Sequence, residues 1–203
     1  MGKSFRIDES SIYGRNDDKE AIIERLLSTD DQANSNGNLQ VISIVGIGGI
    51  GKTFLTKLVY SDARVQEWFD VKIWICAATK FDLLKLAKDI LEEVTCDTSI
   101  SAHDDHILLE LKEKLIGKKF LLILDDVWND NRVEWSFLLS YLECGAQGSK
   151  IIVTTRNRSV ALALGAAQSY FLSELGDDHC WNLFAKHAFS DEQCCSDPNH
   201  RVI

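Results

Sequence analysis

The order of hydrophobic segments predicts an α/β fold in which helices cover both faces of a parallel sheet. Short apolar runs alternate along the chain with amphipathic segments of helical spacing, and strands that alternate with helices form parallel sheets. Residues 120–124 are apolar at every position, which is typical of a strand buried on both faces. With 203 residues and 45% hydrophobic content, the chain can build one sizeable core.

The elements follow in order from the same patterns. Asp17 and Glu20 have the spacing of an N-cap and its reciprocal carboxylate, so a first helix is predicted to begin at Asp17 and to continue to Leu27. Residues 28–38 have the composition of a loop. Strands are predicted at 41–45, 71–76, 120–124, 150–154 and 169–172, and later helices at 54–60, 82–94, 105–116, 135–143, 157–164 and 177–189.

A glycine-rich segment joins the first strand to the second helix. Its sequence, GIGGIGKT, matches G-x-x-x-x-G-K-[ST] at every defined position. Glycines let backbone N–H groups approach an anion closely, and the positive end of the following helix faces the same point. The alternative is a glycine-rich turn without a ligand. The residues expected at the phosphates are Gly46, Gly48, Gly49, Ile50, Gly51, Lys52, which can reach the β- and γ-phosphates, and Thr53, whose hydroxyl can bind Mg²⁺.

Two carboxylates follow the buried strand at 120–124, at the carboxyl edge where parallel sheets bind ligands. Asp125 is suited to hold Mg²⁺, directly or through water, and Asp126 to orient an attacking water or accept its proton. Ordinary helix capping is the alternative role for such a pair. Together with the upstream glycine-rich loop, the two carboxylates favour a magnesium-nucleotide site.

An arginine follows the strand at 150–154. Because it lies at the same sheet edge, Arg156 can reach a γ-phosphate or stabilise charge in a transition state. The alternative is an ordinary ion pair with a neighbouring carboxylate.

The charge balance excludes some classes of partner. A net charge of −9 opposes non-specific attraction to nucleic acid or to an anionic membrane. The sequence has neither an apolar run long enough to span a bilayer nor an apolar signal-peptide core at its start. We therefore expect a cytoplasmic protein with no membrane segment and no direct nucleic-acid partner.

Three motifs together resemble a known family. They are GIGGIGKT, LLILDDVW at 121–128 and GSKIIVTTR at 148–156. In this order they are similar to the nucleotide-binding domain of plant disease-resistance proteins, the NB-ARC class of signal-transduction ATPases with a P-loop NTPase fold.

Further stretches extend the resemblance over about residues 12–189. Residues 12–27 resemble the opening motif of the domain, 69–91 the motif after the phosphate loop, and 170–189 the motif that leads into a helical subdomain. Trp128 at the end of the Asp-Asp motif is typical of resistance proteins with an N-terminal coiled coil.

The resemblance implies a sheet order of 5-1-4-3-2 and a switch between ADP and ATP, with slow Mg²⁺-dependent hydrolysis resetting it. The opening motif of the family lies over the adenine, which makes Ile12 and Arg15 candidates for base contacts. The remaining roles carry over as phosphate binding by Lys52, Mg²⁺ binding by Thr53 and Asp125, hydrolysis by Asp126, and γ-phosphate sensing by Arg156.

The resemblance also implies a domain division and partners. We expect a linker at 1–11, a nucleotide-binding domain at 12–175, and the start of a truncated helical subdomain at 176–203. The Gly-Leu-Pro-Leu and Met-His-Asp motifs of the family are not in the sequence, so the lid that slows ADP release is expected to be missing. The fragment is expected to be monomeric, and the full receptor, with its helical subdomains, leucine-rich repeats and coiled coil, to oligomerise when activated. A P-loop ATPase or phosphotransferase whose turnover is itself the output is the alternative.

Overall fold

The structure is a computed structural model that describes residues 13–28, 39–77, 82–97, 104–166 and 168–188. A five-stranded parallel sheet with the order β2-β3-β4-β1-β5 forms its centre. Read from the other edge, this is the predicted order 5-1-4-3-2, which is therefore confirmed. The strands are β1 (Leu39–Val45), β2 (Val71–Cys76), β3 (Phe120–Val127), β4 (Ser149–Thr155) and β5 (Gln168–Phe171).

Helices connect the strands and cover both faces of the sheet. The described part of the chain contains α1 (Asn16–Leu27), α2 (Lys52–Ser61), α3 (Ala63–Trp68), α4 (Leu83–Thr95), α5 (Asp104–Leu115), α6 (Arg132–Leu142), α7 (Arg158–Ala163) and α8 (Asp177–Ala188). None of the helices described is long and apolar enough to cross a membrane.

Alternate residues of β1, β2, β3 and β4 enter two separate hydrophobic clusters, because successive side chains of a strand point to opposite faces. Leu121 and Ile123 of β3 pack with α1, α2 and α3 on one face. Leu122 and Leu124 pack with α4, α5, α6 and α7 on the other. The residues of β3 from Phe120 to Leu124 are all buried, as the uninterrupted apolar run predicts.

The pairing of β3 with β4 shifts register after Leu124, so that Val127 pairs with Thr155. Asp125 and Asp126 lie in this irregularity, and Asp126 adopts a left-handed backbone conformation with φ of 57°. Irregularities of this kind redirect side chains at sheet edges. Here the shift sets the directions of the two carboxylates that follow the buried part of β3.

Some element bounds differ from the predictions, since β3 extends to Val127 and α6 begins at Arg132, and two further local predictions differ from the structure. The predicted capping pair is wrong, because Arg15 occupies the N-cap position of α1 and Asp17 lies inside the first turn. The short helix α3 was not predicted; Asp62 caps it by accepting a hydrogen bond from the Arg64 backbone N–H at 3.1 Å. A helix of only six residues is too short for a periodic hydrophobic pattern to be recognised.

Candidate functional site: a phosphate loop beside paired carboxylates

The glycine-rich loop runs from the end of β1 to the start of α2. Gly51 is the N-cap of α2 and has φ of 103°, a conformation that residues with a Cβ rarely adopt. Its carbonyl accepts the first hydrogen bond of the helix, from Leu55 N–H at 2.8 Å. A Cβ built on Gly51 would meet no heavy atom within 4 Å, so there is open space beside the start of the helix. The conformation and the space both suit an anion at the positive end of α2.

Lys52 is folded back over the loop. Its Nζ donates hydrogen bonds to the carbonyl oxygens of Gly46, at 2.8 Å, and Ile47, at 2.9 Å. Burial lowers the pKa of this ammonium group, the positive charge of Arg156 adds to the effect, and the carboxylates of Asp126 and Asp125 oppose it. The site therefore holds a partly desolvated cation among groups that do not neutralise it fully, which favours binding of an anion.

Thr53, the second residue of α2, lies against Asp125 of β3. The Thr53 hydroxyl is 2.9 Å from Oδ1 and 3.0 Å from Oδ2 of Asp125. Thr154 Oγ1 donates to the same Oδ1 at 2.6 Å. A hydroxyl oxygen and a carboxylate are hard oxygen ligands of the kind that Mg²⁺ prefers, so these two residues fit the predicted metal role. No cluster of three or more His, Cys, Asp or Glu side chains suited to a metal occurs among the described residues.

Thr154 bonds to both aspartates of the pair, to the side chain of Asp125 and to the backbone of Asp126, and was not predicted as a site residue. Besides its bond to Asp125, its Oγ1 accepts a hydrogen bond from the Asp126 backbone N–H at 2.8 Å. The Thr154 side chain is fully buried. The threonines before Arg156 were visible in the sequence, but their role depends on β4 lying beside β3.

Arg156 extends from the end of β4 over the phosphate loop. A Cβ built on Gly48 would lie 2.8 Å from Nη1 of Arg156, so a larger residue at position 48 would displace the guanidinium from its present place. The Arg156 Nε is 3.8 Å from Oδ1 of Asp126, the kind of ion pair that was the alternative role for this arginine. The guanidinium carbon lies 4.8 Å from the centre of the Trp128 ring. Arg156 thus lies next to the loop, as a γ-phosphate sensor requires, and contacts protein groups on two further sides.

Arg15 connects the loop to the far side of the site. Its guanidinium donates hydrogen bonds to the carbonyl oxygens of Ile50, at 2.8 Å, and Ser173, at 2.9 Å. It also donates to the Asp18 carboxylate at 2.9 Å. With only 5% of its surface exposed, the side chain of Arg15 is engaged by the protein. Its predicted contact with the base stays a prediction, and Ile12 lies outside the described residues.

The contacts of Arg15 continue into β5 and α8. Asp18 accepts a hydrogen bond from the Tyr170 hydroxyl; burial, together with this bond, raises the pKa of Tyr170 to about 12. Gly14, with φ of 63°, packs so closely on α8 that a Cβ there would lie 2.5 Å from the His179 ring. Gly14 and Arg15, just before α1, therefore link α1 to the phosphate loop and to the start of α8.

Comparison with known proteins shows the family to which the chain belongs. The NB-ARC domain family matches residues 15–194, and the chain belongs to that family. A putative disease resistance RPP13-like protein 1 from Arabidopsis thaliana is 40% identical over 191 residues, which cover 93% of this chain and 18% of the relative. Disease resistance protein RGA2 from Solanum bulbocastanum is 38% identical over 188 residues, covering 92% and 19% respectively. The chain thus spans about a fifth of the length of these relatives.

Solved structures support the fold. A signal transduction ATPase with numerous domains and a tetratricopeptide repeat sensor, from Pyrococcus horikoshii, superposes with a TM-score of 0.59 at 19% identity, covering 97% of this chain and 28% of the other. The Aeropyrum pernix ORC1 protein, solved in complex with DNA, superposes with a TM-score of 0.63 at 14% identity, covering 87% and 50%. The predicted P-loop NTPase fold is confirmed by this likeness and by the strand order.

Proposed function

We propose that this chain is the adenine-nucleotide-binding switch domain of a plant immune receptor of the coiled-coil type. One observation carries the proposal: the Lys52 ammonium, the Thr53 hydroxyl and the Asp125 carboxylate lie around one phosphate loop at the carboxyl edge of a parallel sheet. Membership of the NB-ARC family supports binding of a nucleotide, and the names of the relatives support a role in disease resistance.

Each side chain has a role in this proposal. Lys52 exchanges its bonds to the loop carbonyls for bonds to the β- and γ-phosphates, and the loop N–H groups from Gly46 to Gly51 surround the same phosphates. Thr53 and Asp125 would hold Mg²⁺, which would supply positive charge against the phosphates. Asp126 orients the attacking water, and Arg156 distinguishes ATP from ADP by contact with the γ-phosphate. Ile12 and Arg15 contribute to binding of the adenine.

The output of the domain is a change of conformation rather than product. ADP holds the receptor closed, and exchange for ATP rearranges its domains and permits oligomerisation; a few kcal/mol of differential binding is enough to shift such an equilibrium. Slow hydrolysis resets the switch. The partners are the other domains of the receptor, namely its helical subdomains, leucine-rich repeats and coiled coil, and this chain by itself is monomeric. The division into domains at 12–175 and 176–203 remains part of this proposal.

The proposed location is the cytoplasm, without a direct nucleic-acid partner. The net charge of −9 supports the absence of a nucleic-acid partner, because nucleic-acid binding relies on neutralising phosphates with basic side chains. The DNA in the ORC1 structure belongs to that protein. A likeness of 14% identity extends to the fold alone.

Replacing Lys52 tests the site. In Lys52→Ala, the affinity for a fluorescent ADP analogue should fall at least about tenfold, because a charge-assisted bond to phosphate is lost, while the circular dichroism spectrum stays unchanged. Lys114→Ala, the same change at an exposed position near the end of α5, is the matched control and should bind as the wild type does. Undiminished binding by Lys52→Ala would refute the role of Lys52.

Turnover separates a switch from an enzyme. We expect steady-state hydrolysis of ATP well below about 1 s⁻¹, the lower end of typical enzyme rates. A faster rate would favour the alternative, a P-loop ATPase or phosphotransferase whose turnover is the output.

A further inference from the structure

Trp128 is a large exposed aromatic residue at the functional edge of the sheet. It follows the last residue of β3, Val127, and 52% of its surface is exposed. Exposure of this extent means that the indole contributes little to the hydrophobic core; a single exposed hydrophobic residue is ordinary by itself, and what distinguishes Trp128 is its contact with Arg156.

The guanidinium of Arg156 lies over the indole ring of Trp128. The separation of 4.8 Å between guanidinium carbon and ring centre lies within the range of cation–π attraction, for which tryptophan is the best partner. The same guanidinium lies close to Gly48 of the phosphate loop, since a Cβ built on Gly48 would be 2.8 Å from Nη1 of Arg156. Arg156 therefore lies near both the loop and the indole.

The neighbouring carboxylate is a weaker anchor for Arg156. Its closest approach, Nε of Arg156 to Oδ1 of Asp126, is 3.8 Å, at the long end of ion-pair distances. The Arg156 side chain is 47% exposed, and pairs of this kind in water are largely screened and stabilise little. Contact with the indole therefore adds a restraint on where this long, flexible side chain can point.

We propose that Trp128 is a positioning residue that holds the Arg156 guanidinium against the phosphate loop, and so sets the preference of the site for ATP over ADP. The inference rests on the proposed function, in which Arg156 contacts the γ-phosphate. Because ADP lacks that phosphate, the effect of Trp128 on binding passes through Arg156 and applies to ATP alone.

The test measures the affinities of MgADP and of a non-hydrolysable MgATP analogue for Trp128→Leu, Trp128→Tyr and the wild type. Trp128→Leu should lower the ratio of ATP affinity to ADP affinity about two- to fivefold, the loss expected for one exposed cation–π contact, with ADP affinity unchanged. Trp128→Tyr keeps an aromatic face and should retain most of the ratio. A structural defect would instead weaken binding of both nucleotides.

The same Trp128→Leu substitution in an Arg156→Ala background completes a double-mutant cycle. There the ratio should already be low and should not fall further. An unchanged or increased ratio in Trp128→Leu, or an equal decrease in both backgrounds, would overturn the inference. If the wild type binds neither nucleotide, the proposed function fails and the inference fails with it; if it binds both and only the Trp128 variants behave otherwise than expected, the inference alone fails.

Discussion

Thr154 is the residue on which the arrangement of the two carboxylates depends most directly. Its hydroxyl donates to Asp125 and accepts from the backbone of Asp126, so one buried oxygen fixes both residues where β3 departs from regular pairing. Asp126 needs such support, because a left-handed backbone costs roughly 1–2 kcal/mol for most residues, with aspartate among the more tolerant.

Thr154→Val, which preserves the shape of the side chain, should lower the free energy of unfolding by about 1–3 kcal/mol. It leaves the Asp126 N–H without its acceptor and Asp125 without one donor. Mg²⁺-dependent nucleotide affinity should fall as well. Urea denaturation and nucleotide titration measure the two effects.

Thr154→Ser is the matched control, because it keeps the hydroxyl and loses only a methyl group. It should retain Mg²⁺-dependent binding even if the lost methyl group costs some stability. Equal binding by the valine and serine variants would contradict the role of the hydroxyl.

At the scale of elements, α1 and the residues just before it contact two parts of the core. Arg15 bonds to the phosphate loop, and Lys19 of α1 pairs with Asp62 between α2 and α3. Asp62 caps α3 and pairs with Lys19 of α1, 2.9 Å from its Nζ, and with Arg64. Arg64 also reaches Glu20 of α1 at 2.8 Å. These polar contacts, with the apolar residues of α1 behind them, hold the opening helix against the nucleotide-binding core.

Removing the Arg15 guanidinium should loosen this attachment. Arg15→Met keeps an unbranched apolar side chain but removes the hydrogen bonds to Ile50, Ser173 and Asp18. We expect the free energy of unfolding to decrease by about 2–3 kcal/mol, in the range for bonds to a charged group. Chemical denaturation measures this, with Arg132→Met at an exposed position in α6 as the control. A stability equal to that of the wild type would show that the three bonds contribute nothing net.

Asp62 should make stability depend on pH in the acid range. The Arg64 side chain, with help from Lys19, holds the pKa of Asp62 well below its usual range. The folded state therefore keeps this carboxylate charged where the unfolded chain, with an aspartate pKa of about 3.9, takes up a proton. The contribution of Asp62 is fully present above about pH 4 and is lost as the pH falls further.

Asp62→Asn keeps a capping oxygen but cannot ionise. The free energy of unfolding, measured by urea denaturation at pH 7 and pH 3, should therefore change less between the two pH values than in the wild type. Glu113→Gln, at an exposed position of α5, should retain the wild-type change. Identical changes in Asp62→Asn and wild type would contradict this account.

At the scale of the whole molecule, the strands could be predicted from the residue pattern and their order from the family resemblance, but the contacts between elements could not. Buried strands are recognised in the sequence as continuous apolar runs, and the phosphate loop is recognised as a fixed motif. The prediction of the α1 cap was wrong. Tertiary contacts direct the Arg15 side chain into the site, and the spacing of neighbouring residues does not encode such contacts. The role of Thr154 depends on β4 lying beside β3. The role of Trp128 depends on the position of Arg156 over the loop.

The two faces of the molecule support one site from opposite sides. The hydrophobic cluster between the sheet and α1, α2 and α3 includes Ile50 of the phosphate loop. The cluster between the sheet and α4 to α7 lies on the other face of the strands that lead to Asp125 and Arg156. A nucleotide bound at their common edge should stabilise the folded state by mass action, by about 2.7 kcal/mol when its concentration is a hundred times its dissociation constant.

The most direct test of the central claim is calorimetric titration of the chain with ADP, ATP and GTP, with and without Mg²⁺. We predict binding of one adenine nucleotide per chain, stronger with Mg²⁺ than without it, and markedly weaker binding of GTP. No binding of adenine nucleotide, binding indifferent to Mg²⁺, or a preference for GTP would contradict the assignment of Lys52, Thr53 and Asp125 to an adenine-nucleotide switch.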